Sequence, residues 1–237
     1  MNRPVPAQLP LGIRLRDEAS FDSFHGLATA PLVELLRGFS QLDQPPADSC
    51  IYLWGASGSG RSHLLQAACQ QMSAAGGSSI YLPLKQLLEH PAELLEGMEG
   101  LDLLCIDDLQ VLAGRNDWQE ALFHLYNRLR DAGQRLLLAA DCAPRQLPLE
   151  LPDLVSRLGW GLVFQLPTPD DADKQAILQL RAAQRGLQLP DEVARYLLTR
   201  GGRGLDELFN LLERLDQASL QAQRRLTLPF VKQVLGW

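Results

Sequence analysis

Apolar positions along this chain change their period repeatedly. Short apolar runs bounded by turn residues stand at Cys50–Trp54, Ser79–Leu82, Leu101–Ile106, Arg135–Ala140 and Leu162–Leu166. Runs of that length and bulk predict buried strands. Between them the spacing lengthens to the helical period. Pro31 to Phe39 predicts one helix, and Leu64, Leu65, Ala67, Ala68 and Met72 mark a second. A helical stretch of open limits is expected from Leu84 to Met98. Trp118, Ala121, Leu122, Leu125 and Leu129 stripe a helix from Trp118 to Ala132, which Gly133 ends. Asp153 to Trp160 predicts a short helix before the fifth strand. Strands alternating with helices imply an open parallel α/β sheet, with ligands at the strands' C-terminal ends.

From Pro167 the strand pattern stops. Asp170 is placed to cap a helix running to about Gly186. Pro190–Arg200, Leu205–Ala222 and Pro229–Leu235 follow as helices, with Gly201-Gly202-Arg203-Gly204 interrupting. The expected organisation is an extended arm over residues 1–14, an α/β core over 15–166 and a small all-helical subdomain over 167–237, hinged at Pro167–Pro169. The arm is proline-rich, yet Leu9, Leu11 and Ile13 alternate in it. That alternation suits either a docking peptide or an edge strand covering the core.

With 237 residues, 46% of them hydrophobic, the chain can bury a sizeable core. The formal net charge of -6 gives no overall basic field for nucleic acid, so DNA would be met through a local patch or another protein. No apolar run has the length of a membrane span, and the N-terminus lacks a signal-peptide layout. Cys50, Cys69, Cys105 and Cys142 form no C-x-x-C pair and read as reduced residues of a cytoplasmic protein. His25, His63, His90 and His124 lack metal-ligand spacing.

The chemistry concentrates after Trp54. Gly55, Ala56, Ser57, Gly58, Ser59, Gly60, Arg61, Ser62 and His63 join a strand to a helix, and Gly55 and Gly60 stand at the two fixed glycines of G-x-x-x-x-G-K-[ST]. Phosphate oxygens need backbone N–H donors at close approach, which Cβ atoms would block. The helix that follows points its positive end at the same anion. Ser62 takes the hydroxyl position that ligates Mg²⁺. Arg61 stands where lysine is expected, and its planar fork pairs with phosphate differently from an ammonium. Further on, Asp107 and Asp108 end an apolar strand. In that position the first carboxylate holds Mg²⁺ and the second orients an attacking water; alone, the pair would read as a turn cap. Asp141 ends the next strand, where it would either sense a γ-phosphate or cap the turn.

These features carry a resemblance. A phosphate-loop core of five strands followed by a helical lid resembles the AAA+ ATPases, and more narrowly the family of the bacterial replication initiator DnaA. The residues are Phe21-Asp22-Ser23-Phe24, the glycine loop, Asp107-Asp108, the Trp118–Arg130 helix with Phe123-His124 and Asn127, and Ser156-Arg157-Leu158-Gly159-Trp160-Gly161. It runs from about residue 15 to the end. DnaA initiators continue into a helix-turn-helix DNA-binding domain, whereas this sequence stops after the lid. Gln8-Leu9-Pro10-Leu11-Gly12-Ile13 is similar to the Q-L-x-L-x-L peptide that docks on the bacterial sliding clamp, with Gly12 where many such peptides carry an aromatic. Both features, and the G-R-S of the loop, resemble the Hda branch, regulatory inactivators of DnaA.

The resemblance implies bound ADP (or ATP) with Mg²⁺, with Asp22 and Arg203 also at the nucleotide. It implies that Gln8, Leu9, Leu11 and Ile13 contact the DNA polymerase III sliding clamp (beta subunit), so that DNA is reached indirectly. Arg157 matches the family's arginine finger, acting in trans on ATP held by DnaA and so restraining re-initiation; otherwise it is an ordinary surface ion pair. Asp206 occupies the place of the lid arginine that usually touches nucleotide, and Arg203 is the nearby substitute. A homo-oligomer is compatible. The competing expectation is an AAA+ enzyme, helicase-loader-like, that hydrolyses its own ATP.

Overall fold

A computed structural model describes residues 19–24, 29–43, 48–202 and 204–237. Five strands, β1 (Cys50–Trp54), β2 (Ser79–Pro83), β3 (Leu103–Asp107), β4 (Arg135–Ala140) and β5 (Leu162–Gln165), form one sheet in the order β2-β3-β4-β1-β5. Every pairing is parallel. All C-terminal strand ends therefore lie along one edge, where Trp54 is paired with Ala140 and Asp107 with Pro83.

The two-residue period of the strands divides the core between the faces. Ile51, Leu53, Leu103, Cys105, Leu137 and Ala139 pack on one face, against α1 (Ala30–Phe39) and α2 (Arg61–Ala74). Tyr52, Leu104, Ile106, Leu136 and Leu138 pack on the other, with Trp118, Leu122, Leu125 and Leu129 of α4 (Asn116–Asp131) and with Leu154 and Leu158 of α5 (Pro152–Leu158). Because both faces are covered, the inner strands read as continuous apolar runs rather than alternating ones. β5 lies at an edge, and its Val163 is exposed.

The expected helix over Leu84–Met98 is not continuous. α3 (Leu84–Leu87) lasts one turn, and 3₁₀ turns at Ala92–Leu95 and Met98–Gly100 follow. Pro91 cannot donate within a helix, and Gly97 adopts φ 78°, so the chain breaks at both.

Past β5 the chain is helical: α6 (Asp171–Gln184), α7 (Asp191–Arg200), α8 (Leu205–Ala222) and α9 (Leu228–Leu235). Asp170 caps α6, accepting the Asp173 N–H at 2.8 Å. Leu178, Val193, Leu197, Leu208, Leu212 and Phe230 are buried together, so these helices have a core of their own. Among the described residues no helix is long and apolar enough to cross a membrane.

Candidate nucleotide site and partner-facing surface

The loop from Gly55 to Gly60 leaves β1 at the ligand edge and starts α2. Gly60 is the residue preceding the helix; it has φ 92°, and no side chain caps the first turn. That turn's N–H groups have no intrahelical acceptors, so the loop offers donors and a positive helix end to an anion. Two positions tolerate no side chain. A β-carbon at Gly55 would lie 2.8 Å from Leu166 O and Ser59 Oγ, and one at Gly60 would lie 2.5 Å from Phe24 Cε2. Arg61 Nη1 is buried without a hydrogen-bond partner among the described residues, as is Ser59 Oγ. A buried, unpaired guanidinium nitrogen beside a phosphate loop fits an anionic ligand.

Ser62, exposed at the loop, meets Asp107 at the end of β3. Asp107 is 1% exposed. Its carboxylate accepts the Asp108 N–H at 2.8 Å and the Tyr81 hydroxyl at 2.8 Å, and Ser62 is within hydrogen-bonding reach of both Asp107 and Tyr81. Burial raises the Asp107 carboxyl above its usual range, and the neighbouring Asp108 charge adds to this; the Ser62 and Tyr81 hydroxyls and the Asp108 N–H oppose it. Burial, and then the Asp107 charge, raises the Tyr81 phenol, which therefore stays a hydrogen donor. No group of three or more His, Cys, Asp or Glu placed for a metal exists among the described residues. Ser62 and Asp107 suit Mg²⁺, which takes few protein ligands and completes its shell with water and phosphate.

Asp108 follows with φ 62°, a left-handed backbone that turns its side chain away from the strand direction. Gln110 Nε2 donates to Asp108 Oδ1 at 3.0 Å, while Gln110 Oε1 accepts the Asp141 N–H at 3.2 Å. One amide thus ties the end of β3 to the end of β4. Asp141 is exposed there. Sequence reasoning gave Gln110 and Tyr81 no role.

The Phe21–Ser23 turn closes over the start of α2. Ser20 caps it, His63 Nε2 lies 2.8 Å from Ser20 O and 3.2 Å from Ser23 Oγ, and the Phe24 ring faces the His63 ring at 5.7 Å. Asp22, expected at the nucleotide, pairs with Arg37 at 2.5 Å, and its side chain is 86% exposed. From the helical subdomain, Leu205 at the start of α8 reaches the loop: its Cβ lies 3.8 Å from where a β-carbon would stand on Gly58. Asp206 and Glu207 occupy that helix's first turn. Arg203 lies outside the described residues, as do Gln8, Leu9, Leu11 and Ile13.

Arg157 lies on α5, away from the loop. Its Nε donates to Asn127 Oδ1 at 2.6 Å, and its guanidinium sits 4.4 Å from the Phe123 ring centroid and 5.4 Å from that of Trp160. Trp160 is 59% exposed and also faces Arg130 at 5.7 Å. Arg157 forms no ion pair with a described residue, so the surface-ion-pair alternative finds no acidic partner there.

The family model for the bacterial DnaA ATPase domain matches residues 40–165, more than half of the chain, and that for the Hda lid domain matches residues 171–235. Domain III of the Thermotoga maritima replication initiation protein DnaA superposes with a TM-score of 0.80 at 23% identity, over 94% of this chain and 98% of that one. AMPPCP-bound DnaA from Aquifex aeolicus gives 0.71 at 25% identity, over 86% and 67%. The Thermotoga maritima RuvB Holliday junction branch migration motor gives 0.67 at 16%, over 92% and 71%.

Proposed function

Because this chain belongs to the bacterial DnaA ATPase-domain family of AAA+ proteins, and carries an Hda-type lid, we propose that it is a nucleotide-bound regulator that acts on ATP held by DnaA. The observation that carries this reading is the setting of Arg157. Asn127 and Phe123 hold its Nε and one face of the guanidinium, while its terminal nitrogens have no acceptor among the described residues. A preorganised guanidinium beside an exposed tryptophan suits insertion into a partner's phosphate site, where it can pair with two oxygens at once.

In this account ADP, or ATP, lies on the Gly55–Gly60 loop, with Arg61 toward the phosphates and Mg²⁺ held by Ser62 and Asp107. The N-terminal peptide, through Gln8, Leu9, Leu11 and Ile13, docks the protein on the DNA polymerase III sliding clamp. The clamp brings it to DNA, and Arg157 then accelerates hydrolysis by DnaA, which restrains re-initiation. α8 begins at Leu205, which reaches Gly58, and the acidic residues Asp206 and Glu207 of its first turn favour a bound diphosphate over a triphosphate.

The intact Ser62–Asp107 contact supports a second reading, an enzyme that hydrolyses its own ATP. An ATPase assay of the isolated protein, alone and with DnaA and clamp on DNA, separates the two. A regulator shows negligible turnover alone and a rise only with ATP-bound DnaA present; an enzyme turns over alone.

A further inference from the structure

Asp107 ends β3 opposite a residue that can do nothing for it. Its cross-strand neighbour is Pro83, which has no N–H and no polar side chain. Side chains two residues apart on a strand share a face, so Tyr81, paired with Cys105, lies on the same side as Asp107 and one diagonal step back. The tyrosine is long enough to span that step, and its hydroxyl reaches the Asp107 carboxylate at 2.8 Å. The ring is buried on the α2 face among Leu103, Cys105 and Leu65, which leaves it little freedom to turn elsewhere.

The carboxylate is thereby held at both oxygens. Oδ1 accepts the Asp108 N–H and Oδ2 accepts the tyrosine O–H. Rotation of the carboxylate about its last bond would break both contacts. Ser62, the other candidate ligand, is within hydrogen-bonding reach of the same tyrosine hydroxyl. One phenol therefore touches both side chains that suit the cation, from a strand that contributes no ligand itself.

We infer that Tyr81 is a positioning residue for a divalent cation, orienting Asp107 and Ser62 from behind the site. The inference rests on the nucleotide reading of the loop. Groups that orient metal ligands in this way, when removed, weaken metal affinity by about 10–100-fold. The alternative is that Tyr81 only fills core space, in which case its ring matters and its hydroxyl does not.

Tyr81→Phe keeps the ring and deletes the hydroxyl. ADP binding is measured by calorimetry in EDTA and then across a Mg²⁺ series, and bound Mn²⁺ is counted by its electron paramagnetic resonance signal in the presence of ADP. The expected result is ADP affinity in EDTA within about twofold of the parent, with the Mg²⁺ midpoint and the Mn²⁺ dissociation constant raised about tenfold or more. Asp107→Asn should raise both further, and adding Tyr81→Phe to it should cost less than Tyr81→Phe costs in the parent, because only the contact with Ser62 is then left to lose. Unchanged metal dependence in Tyr81→Phe, or equal loss of ADP with and without metal, would overturn the inference. Failure of the parent itself to bind ADP would instead remove the nucleotide reading.

Discussion

Gln110 donates its side-chain amide to Asp108 Oδ1 at 3.0 Å. With its carbonyl the same group accepts the Asp141 N–H, so the ends of β3 and β4 are joined along the sheet's C-terminal edge; in the proposed account a third phosphate is met there. Gln110→Ala should leave ADP affinity within about twofold. It should weaken a non-hydrolysable triphosphate by about 2–10-fold, the worth of one neutral hydrogen bond. Paired calorimetric titrations with ADP and AMPPCP check this; an equal change in both ligands would mean that Gln110 shapes the whole loop instead.

Gly60 combines two demands. Its φ of 92° costs another residue about 1–2 kcal/mol, and a β-carbon there meets the Phe24 ring. Gly60→Ala should lower the melting temperature and abolish its rise with ADP. Gly76 is a matched control, with φ 83° and nothing within 4 Å of an added β-carbon. Gly76→Ala should lose stability through backbone strain alone and keep the full ADP response.

The pH dependence of stability should involve Asp102. Its carboxylate accepts the Ser78 N–H at 2.8 Å and the Ser78 hydroxyl at 2.7 Å, linking the entries to β2 and β3. These bonds hold its carboxyl below the ordinary 3.8, the Ser78 N–H contributing most. A depressed folded-state value means that the unfolded chain binds more protons as pH falls. The stabilisation is therefore present above 3.8 and fades below it, as pH passes through the folded-state value. Asp102→Ala should lower the melting temperature at neutral pH, and its gap from the parent should narrow on acidification. A gap that stays constant with pH would assign the effect to packing.

In the proposed account, Gln8 and Leu11 carry the clamp contact. Replacing both with alanine should abolish co-elution with the sliding clamp on gel filtration while leaving the circular dichroism spectrum and the ADP response unchanged. Co-elution equal to that of the parent would remove the docking role of this peptide.

Much of this molecule was legible because burial leaves long signals. The inner strands are covered on both faces and read as unbroken apolar runs, and the glycine loop stands between an apolar run and a helical period. Contacts set by tertiary placement left no such signal. Gln110 follows the acidic pair at a spacing that says nothing until β4 is known to lie beside β3. Tyr81 reads as one more strand aromatic until its diagonal position against Asp107 is known. Asp22 belongs to a segment that closes on α2, and its pairing with Arg37, fifteen residues on, is set by that closure and leaves no mark in the sequence pattern. The break between Leu84 and Met98 was readable at Pro91 and Gly97, where backbone chemistry overrides an apolar stripe.

The central claim is that Arg157 acts on ATP held by DnaA, and the most direct measurement is release of labelled phosphate from ATP-bound DnaA with clamp loaded on DNA. The parent should accelerate release. Arginine fingers in GTPase systems contribute about 10³–10⁵ in rate. Arg157→Ala should keep its fold, since Leu154 and Leu158 anchor α5, and should keep ADP and clamp binding while losing the stimulation. Arg157→Lys should fail nearly as fully, because an ammonium cannot reproduce the fork. Asn127→Ala, which frees the Nε that Asn127 now holds, should fall between them. An alanine variant at Arg157 that stimulates release as well as the parent would contradict the account.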